Sequence, residues 1–441
     1  MMSKGATRTK VRYYEKHVLP NGVRLMLVPM EGVNSVATAV MVGVGSRYET
    51  PEINGISHFL EHMVFKGTKK YPTTDDVNTI EKIGGLQNAY TDIDITNYHN
   101  KVLSTDWQQA LDINRELALA PLLLQKHVDK ERDVILEEMK RYEDEPAAKV
   151  GETFHSMLYP STSLGMRIIG EEKSLRAVAS TELKQYHDRW YSPERMVVIL
   201  AGSIRGSVLG IKEKTEDWFG RLEQRVESKE QRKDGFEQVK ESQNKPQLTV
   251  VTKPDASQAH LILGLRTFNR GSDDRFAWNV FNLIMGVSFT SRLFKEVREK
   301  RGLCYHVRSS SDNWADVGYW SIYAGVATAK VEEATRAILH EVAKAADRGV
   351  TEEEIRIAKK RLKTMIAFKS EDPEFMTEYY GRQELYHQPI LTLEDYIRKI
   401  EKVTKEDINR LTKKYLVQKT LNMALVWNKP REEKLAALLT L

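Results

Sequence analysis

The 441-residue sequence predicts an α+β fold of two homologous α/β-sandwich halves, each an antiparallel-rich sheet packed by helices. Three observations predict it. β-Rich runs and helical patterns alternate irregularly, unlike the regular strand–helix order of a doubly wound parallel sheet. A charged stretch at 223–247, broken by Gly235 and Pro246, reads as a solvated linker between residues 1–222 and 248–441. Landmarks on its two sides then recur in one order. Gly45-Ser46 is answered by Gly271-Ser272, and 81–86 by 299–303. Glu143-Asp144-Glu145-Pro146 is answered by Ser370-Glu371-Asp372-Pro373, and Thr181-Glu182-Leu183 by Lys405-Glu406-Asp407-Ile408. Each match is short, but their common order points to an ancestral duplication.

Taken in order, Leu19-Pro20-Asn21-Gly22 carries the Asn-Gly signal of a hairpin. Residues 23–28 and 35–42 read as strands from their alternation and β-branched content. Helical patterns are predicted over 56–66 and 74–83, the second stopped by Gly84-Gly85, and strand-like sequence resumes over 88–102. Longer helical patterns follow at 107–120, 127–142 and 147–159 before 195–202 returns to strand. In the second half a helix is predicted to start near Arg275, and the chain from Lys429-Pro430 onward reads as an amphipathic tail.

Composition excludes several function classes. Hydrophobic residues make up 41% and charged residues 29%, the balance of a globular protein with a large core. The net charge of +5 arises from 67 basic and 62 acidic residues interleaved along the chain, so no basic patch argues for nucleic acid or a membrane surface. A mean hydropathy of −0.49, with no apolar run approaching 18 residues, argues against a membrane-spanning protein. The single cysteine, Cys304, excludes an internal disulfide framework and a Cys-based zinc cluster, and favours a reducing compartment. Residues 1–10 are basic but lack the apolar stretch of a secretory signal, so the expected location is cytoplasmic, with a short mitochondrial-type presequence as the alternative reading.

His58-Phe59-Leu60-Glu61-His62 is the sharpest chemical feature. On a helix, residues at i and i+4 share a face, so both imidazoles can reach one metal ion. Glu61, at i+3 from His58, brings a carboxylate to the same side, the inverted zinc-protease pattern H-x-x-E-H. The competing reading is an amphipathic helix with Phe59, Leu60 and Met63 in the core and two incidental histidines. A catalytic zinc needs three protein ligands and an open position. The predicted 127–142 helix offers Glu131 and Glu138 on a stripe with Val134 and Ile135, where carboxylates are costly unless paired or bound to metal. Glu137 is rotated off that stripe and is the weaker candidate.

Residues 58–68, His58-Phe59-Leu60-Glu61-His62-Met63-Val64-Phe65-Lys66-Gly67-Thr68, resemble the active-site helix of the M16 metallopeptidases, the pitrilysin and mitochondrial processing peptidase group. In that family the third ligand is a glutamate some 75 residues downstream, with another functional glutamate seven positions before it. Glu138 lies 76 positions after His62, and Glu131 seven before Glu138. The resemblance thus implies a zinc ion on His58, His62 and Glu138, one per chain. Glu61 would act as general base, and Glu131 would orient the site. The segment 84–91 resembles the family's active-site edge strand, which implies peptide binding at Asn88, Ala89 and Tyr90; an ordinary internal ladder strand is the alternative. Arg298 and Tyr305 look like the Arg/Tyr pair that contacts substrate in active members. The helix around Trp278, Phe281 and Asn282 has no metal ligands.

The resemblance covers about 14–427 and the length matches the shorter branch, in which two chains face each other around a chamber. It therefore implies a homodimeric zinc endopeptidase acting on peptides or presequence-like extended segments, with the Arg/Tyr pair of one subunit completing the site of the other. The alternative function is a non-catalytic structural or partner-binding subunit. The intact motif counts against it, as does the single glycine of Met285-Gly286-Val287-Ser288-Phe289 where a regulatory subunit would carry a long Gly-rich loop.

Overall fold

Asn21-Gly22 opens the first sheet as expected. In a computed structural model describing residues 13–223, 235–429 and 432–440, β1 (Glu15–Val18) and β2 (Arg24–Pro29) pair antiparallel. Gly22 takes the left-handed φ of 98° that the turn between them requires. β3 (Ser35–Val42), β4 (Leu86–Thr91), β5 (Thr96–Leu103) and β6 (Met196–Gly202) complete a six-stranded sheet in the order β1-β2-β6-β3-β5-β4. The second sheet contains β7 (Gln247–Thr252), β8 (Gln258–Thr267), β9 (Cys304–Asn313), β10 (Gly318–Ala327) and β11 (Asn422–Trp427), in the order β7-β11-β8-β10-β9. Each sheet has one parallel pair, β2 with β6 and β7 with β11, among antiparallel neighbours. The two orders superimpose strand for strand apart from β1, the topological trace of the duplication.

Alternating side chains send each strand's residues to both sheet faces. In the first sheet Leu25, Leu27, Val198 and Leu200 join a core with the half's own helices. These include α1 (Ile56–Val64) and α2 (Gln125–Asp144). The other face, with Met26, Val28, Met41 and Ile199, is covered from the second half by α4 (Pro373–Leu385), through Met376, Tyr380 and Leu385. The exchange is reciprocal. α3 (Pro146–Leu158) leaves the first half and lays Val150, Phe154 and Leu158 on the second sheet against Ala424 and Val426. The matched Glu143–Pro146 and Ser370–Pro373 landmarks mark the starts of these two exchanged helices.

Two ion pairs also cross between the halves at equivalent places. Arg47 Nη2 meets Asp316 Oδ2 at 2.7 Å in the β9–β10 turn, and Arg270 Nη2 meets Asp94 Oδ2 at 2.6 Å in the β4–β5 turn. Arg47 is buried, and removing one member of such a pair strands its partner's charge at a cost of about 3–5 kcal/mol.

Several sequence expectations are corrected. The 74–83 helix is two short helices, Thr74–Val77 and Thr79–Lys82, separated at Asn78, whose φ and ψ are not helical. Val134 does not belong to the inward stripe of α2 but is 52% exposed; Val128, Glu131, Ile135 and Met139 face in. The tail is a short helix, Glu432–Ala436, with Leu435 and Leu439 buried in the second core. The N-terminal basic stretch 1–10 and residues 224–234 of the charged stretch lie outside the described residues. Its described remainder touches the body: Phe236 packs edge-on to Tyr48 and beneath the Arg47 guanidinium, 3.8 Å from its ring centroid.

Because each sheet is closed by a helix from the other half, the halves should unfold together. Tyr380→Ala removes a side chain 1% exposed on the first sheet's exchanged face. It should lower stability by about 3–5 kcal/mol and leave one calorimetric transition; two resolved transitions would contradict this coupling.

Candidate metal centre and active site

α1 begins at Gly55, whose φ of 93° is left-handed and whose Cα lies so near residues 169–170 that a Cβ would meet the Ile169 carbonyl at 2.7 Å. From there Phe59, Leu60 and Met63 point into the core. That burial holds the opposite positions, His58, Glu61 and His62, toward α2, which packs alongside. On α2 the inward face presents Glu131, buried, and Glu138, half-buried beside it. The core residues of the amphipathic-helix reading and the polar cluster of the metal reading are therefore both present, on opposite faces of one helix.

The cluster converges on one point. His62 Nε2 and His58 Nε2 lie 3.5 and 3.9 Å from the same oxygen, Glu138 Oε2. One ligand atom from each of the three residues falls within a 4.8 Å set, the metal-ligating group found among the described residues. Two imidazole nitrogens and a carboxylate oxygen match the donors of a catalytic zinc site, with room for a fourth position. His58 suits ligation electronically too: burial, with the neighbouring His62 charge, pushes its pKa down to about 3 and keeps the ring neutral. Its Nδ1 is buried without a hydrogen-bond partner among the described residues.

Glu131 stands outside the three-residue group and contacts the back of one of its rings. Its Oε1 accepts from His62 Nδ1 at 3.0 Å, which leaves the lone pair of Nε2 facing Glu138. Its Oε2 pairs with Lys66 Nζ at 2.7 Å. Burial raises the Glu131 carboxyl, but the bonds from His62 and Lys66 outweigh it and hold the group below the ordinary range. Glu61 goes the other way. Burial pushes it up, and Thr91 of β4, which hydrogen-bonds it, offsets only part of that. A carboxyl raised in this way is a better proton acceptor than an exposed one. Glu137 points to solvent and pairs with Lys140.

Two comparisons bear on identity. The sequence model described as "Insulinase (Peptidase family M16)" matches residues 26–172, and "Peptidase M16 inactive domain" matches 177–362. The Bacillus subtilis protein named "Uncharacterized zinc protease YmxG" is 33% identical over 92% of this chain and 96% of its own. The chain belongs to peptidase family M16. Another relative, "Uncharacterized zinc protease Rv2782c" of Mycobacterium tuberculosis, is 34% identical over 90% of each chain. Among solved structures, a protease from Helicobacter pylori shares the fold with a TM-score of 0.85 at 22% identity, covering 94% of this chain and 99% of its own.

The M16 landmarks of the second half lie differently. In the helix Asp274–Gly286, Trp278 and Phe281 are buried and Asn282 Oδ1 accepts from Trp320 Nε1, so packing occupies the positions read as lacking ligands. Arg298 and Tyr305 come together: the guanidinium lies 4.7 Å from the Phe294 ring and 5.2 Å from that of Tyr305. Two backbone irregularities display them, a π-helical turn over Phe294–Glu299 and a bulge that leaves Tyr305 unopposed between Cys304 and His306. Tyr305 is 79% exposed. Neither lines the cleft of about 850 Å³ between the halves, which His58 and Thr91 share with His306, Arg308 and Asp312.

β4 is the edge of its sheet, paired among the described residues with β5 alone. Asn88 is exposed and Ala89 buried, while the Tyr90 hydroxyl donates to Glu378 and accepts from Arg382 of the second half. Three residues at the site escaped the sequence reading. Lys66 lies at i+4 from His62, a spacing that could have revealed it. Thr91 and Glu49 reach Glu61 and the start of α1 through space and carry no local signal.

Glu131→Ala should weaken zinc binding by about 10–100-fold by freeing the His62 ring. Competition against a chromophoric chelator checks this; unchanged affinity would show that Glu131 does not orient the ligand.

Proposed function

We propose that this M16 chain is a zinc-dependent endopeptidase that hydrolyses peptides or presequence-like extended segments, with one zinc ion per chain. The observation that carries the reading is the convergence of His58, His62 and Glu138 with Glu61 one position along the same helix. Zinc at such a site supplies a Lewis acid that lowers the pKa of a bound water from 15.7 toward about 7.

The chain's own groups do the rest. His58, kept neutral by burial, and His62 offer ring nitrogens, and Glu131 holds the His62 ring through Nδ1. The Glu61 carboxylate accepts the proton of the attacking water and returns it to the leaving amine. β4 is an edge strand, so an extended peptide can add beside it as a further strand with little side-chain preference, taking the place of the Asn88 side chain on the Ala89 N–H. Asn88, Ala89 and Tyr90 would form that edge. Arg298 and Tyr305 would bind the substrate backbone or the developing oxyanion. That neither lines the cleft of its own chain supports a homodimer in which they serve the partner's site. A lone, buried, unpaired thiol, Cys304, supports a reducing compartment, the cytoplasm.

Glu61→Gln should abolish cleavage of a broad peptide library while zinc stays stoichiometric, because it removes the base and no ligand. Loss of zinc in that variant, or chelator-insensitive cleavage by the wild type, would refute the assignment. For the dimer, Glu61→Gln and Arg298→Ala chains should each be nearly inactive alone. Mixed, they should recover a substantial fraction of wild-type activity; no recovery would mean the pair does not act across subunits.

A further inference from the structure

A carboxylate that the metal chemistry does not use stands buried at the start of α1. Glu49, 5% exposed, follows the 3₁₀ turn Ser46–Tyr48. Its Oε2 accepts from the Gly55 backbone N–H at 2.7 Å and from Asn54 Nδ2 at 2.9 Å. Its Oε1 accepts from the Ser57 backbone N–H at 2.9 Å. The first N–H groups of a helix have no partner within it, and the residue at the N-cap usually supplies one from its side chain. Here the N-cap is Gly55, which has none to offer. Glu49 stands in from six residues away and faces the positive end of the helix.

We propose that Glu49 is a positioning residue for the metal-binding helix: its two oxygens clamp the first turn and set the height and rotation at which α1 presents His58 to Glu138. This rests on the zinc reading above. Ser57, held by Oε1, is the residue before His58, so play at the clamp passes directly to the first ligand. A Ser or Asp at the N-cap itself would bring a Cβ to within 2.7 Å of the Ile169 carbonyl, so the capping oxygens have to come from elsewhere in the chain. Glu49 instead sits where burial raises its pKa to about 7, against the N–H bonds that hold it down. No Lys or Arg pairs with it among the described residues. What the remote carboxylate adds is a link: two residues earlier, Arg47 reaches across to Asp316 of the second half. The segment 47–49 thus ties the start of α1 to the bridge between the halves.

The test uses the full chain and the metal alone. In Glu49→Gln the side chain keeps its size, but its NH₂ faces backbone donors, so one arm of the clamp opens. Its zinc dissociation constant should rise about tenfold or more, the visible spectrum of the Co²⁺ form should shift, and kcat should fall with KM little changed. Asn54→Ala removes one donor and leaves both backbone bonds. It should weaken zinc a few-fold in the same direction, and it carries the test should Glu49→Gln not fold. A variant that melts earlier yet binds zinc and Co²⁺ as the wild type does would make Glu49 a cap only and overturn the proposal. Wild-type protein that binds no zinc would instead overturn the metal reading, and this inference with it.

Discussion

A mixed sheet has two faces to bury, and each half of this chain closes the second face of its sheet only with a helix borrowed from the other half. α4 covers the first sheet and α3 the second. The metal cluster depends on that arrangement. α2, which carries Glu131 and Glu138, ends at Asp144, and Pro146 starts α3 two residues later. The seat of α3 on the foreign sheet therefore anchors the end of α2 nearest Glu138. Arg47 and Arg270 fix the two sheets from equivalent turns, so the cleft beside His58 has walls that are bridged to each other.

Within that frame, the cluster works by contrast between two faces of one short helix. Phe59, Leu60 and Met63 are immobilised in the core, and this makes the positions of His58, Glu61 and His62 definite. Charges are then sorted by their neighbours. Lys66 and His62 keep Glu131 ionised, whereas burial lifts Glu61 toward the range where a carboxylate accepts a proton readily. Three carboxylates on two neighbouring helices thus meet three different environments.

Much of this was legible in the sequence because it is local or periodic. The 58–62 motif is a helical spacing, and Glu131 and Glu138 lie one heptad apart on α2. The duplication showed in short landmarks, two of which prove to be the starts of the exchanged helices. Their destination was not legible, since nothing in Pro146 or Pro373 says which sheet a following helix will cover. Val134 was misplaced because an apolar residue beside Ile135 fits the same window, while helix rotation turns it 100° away. Thr91, Glu49 and the pairs 47–316 and 94–270 join residues far apart in the chain, and only the fold brings them together.

The borrowed helices also set a timetable for synthesis. The first sheet is complete when β6 has been made, yet Met26, Met41 and Ile199 stay uncovered until Pro373–Leu385 emerges. At ribosomal speeds of about 5–20 residues per second, that leaves an apolar sheet face open to water for roughly ten to forty seconds. Closing of the first sheet therefore waits for the last third of the chain.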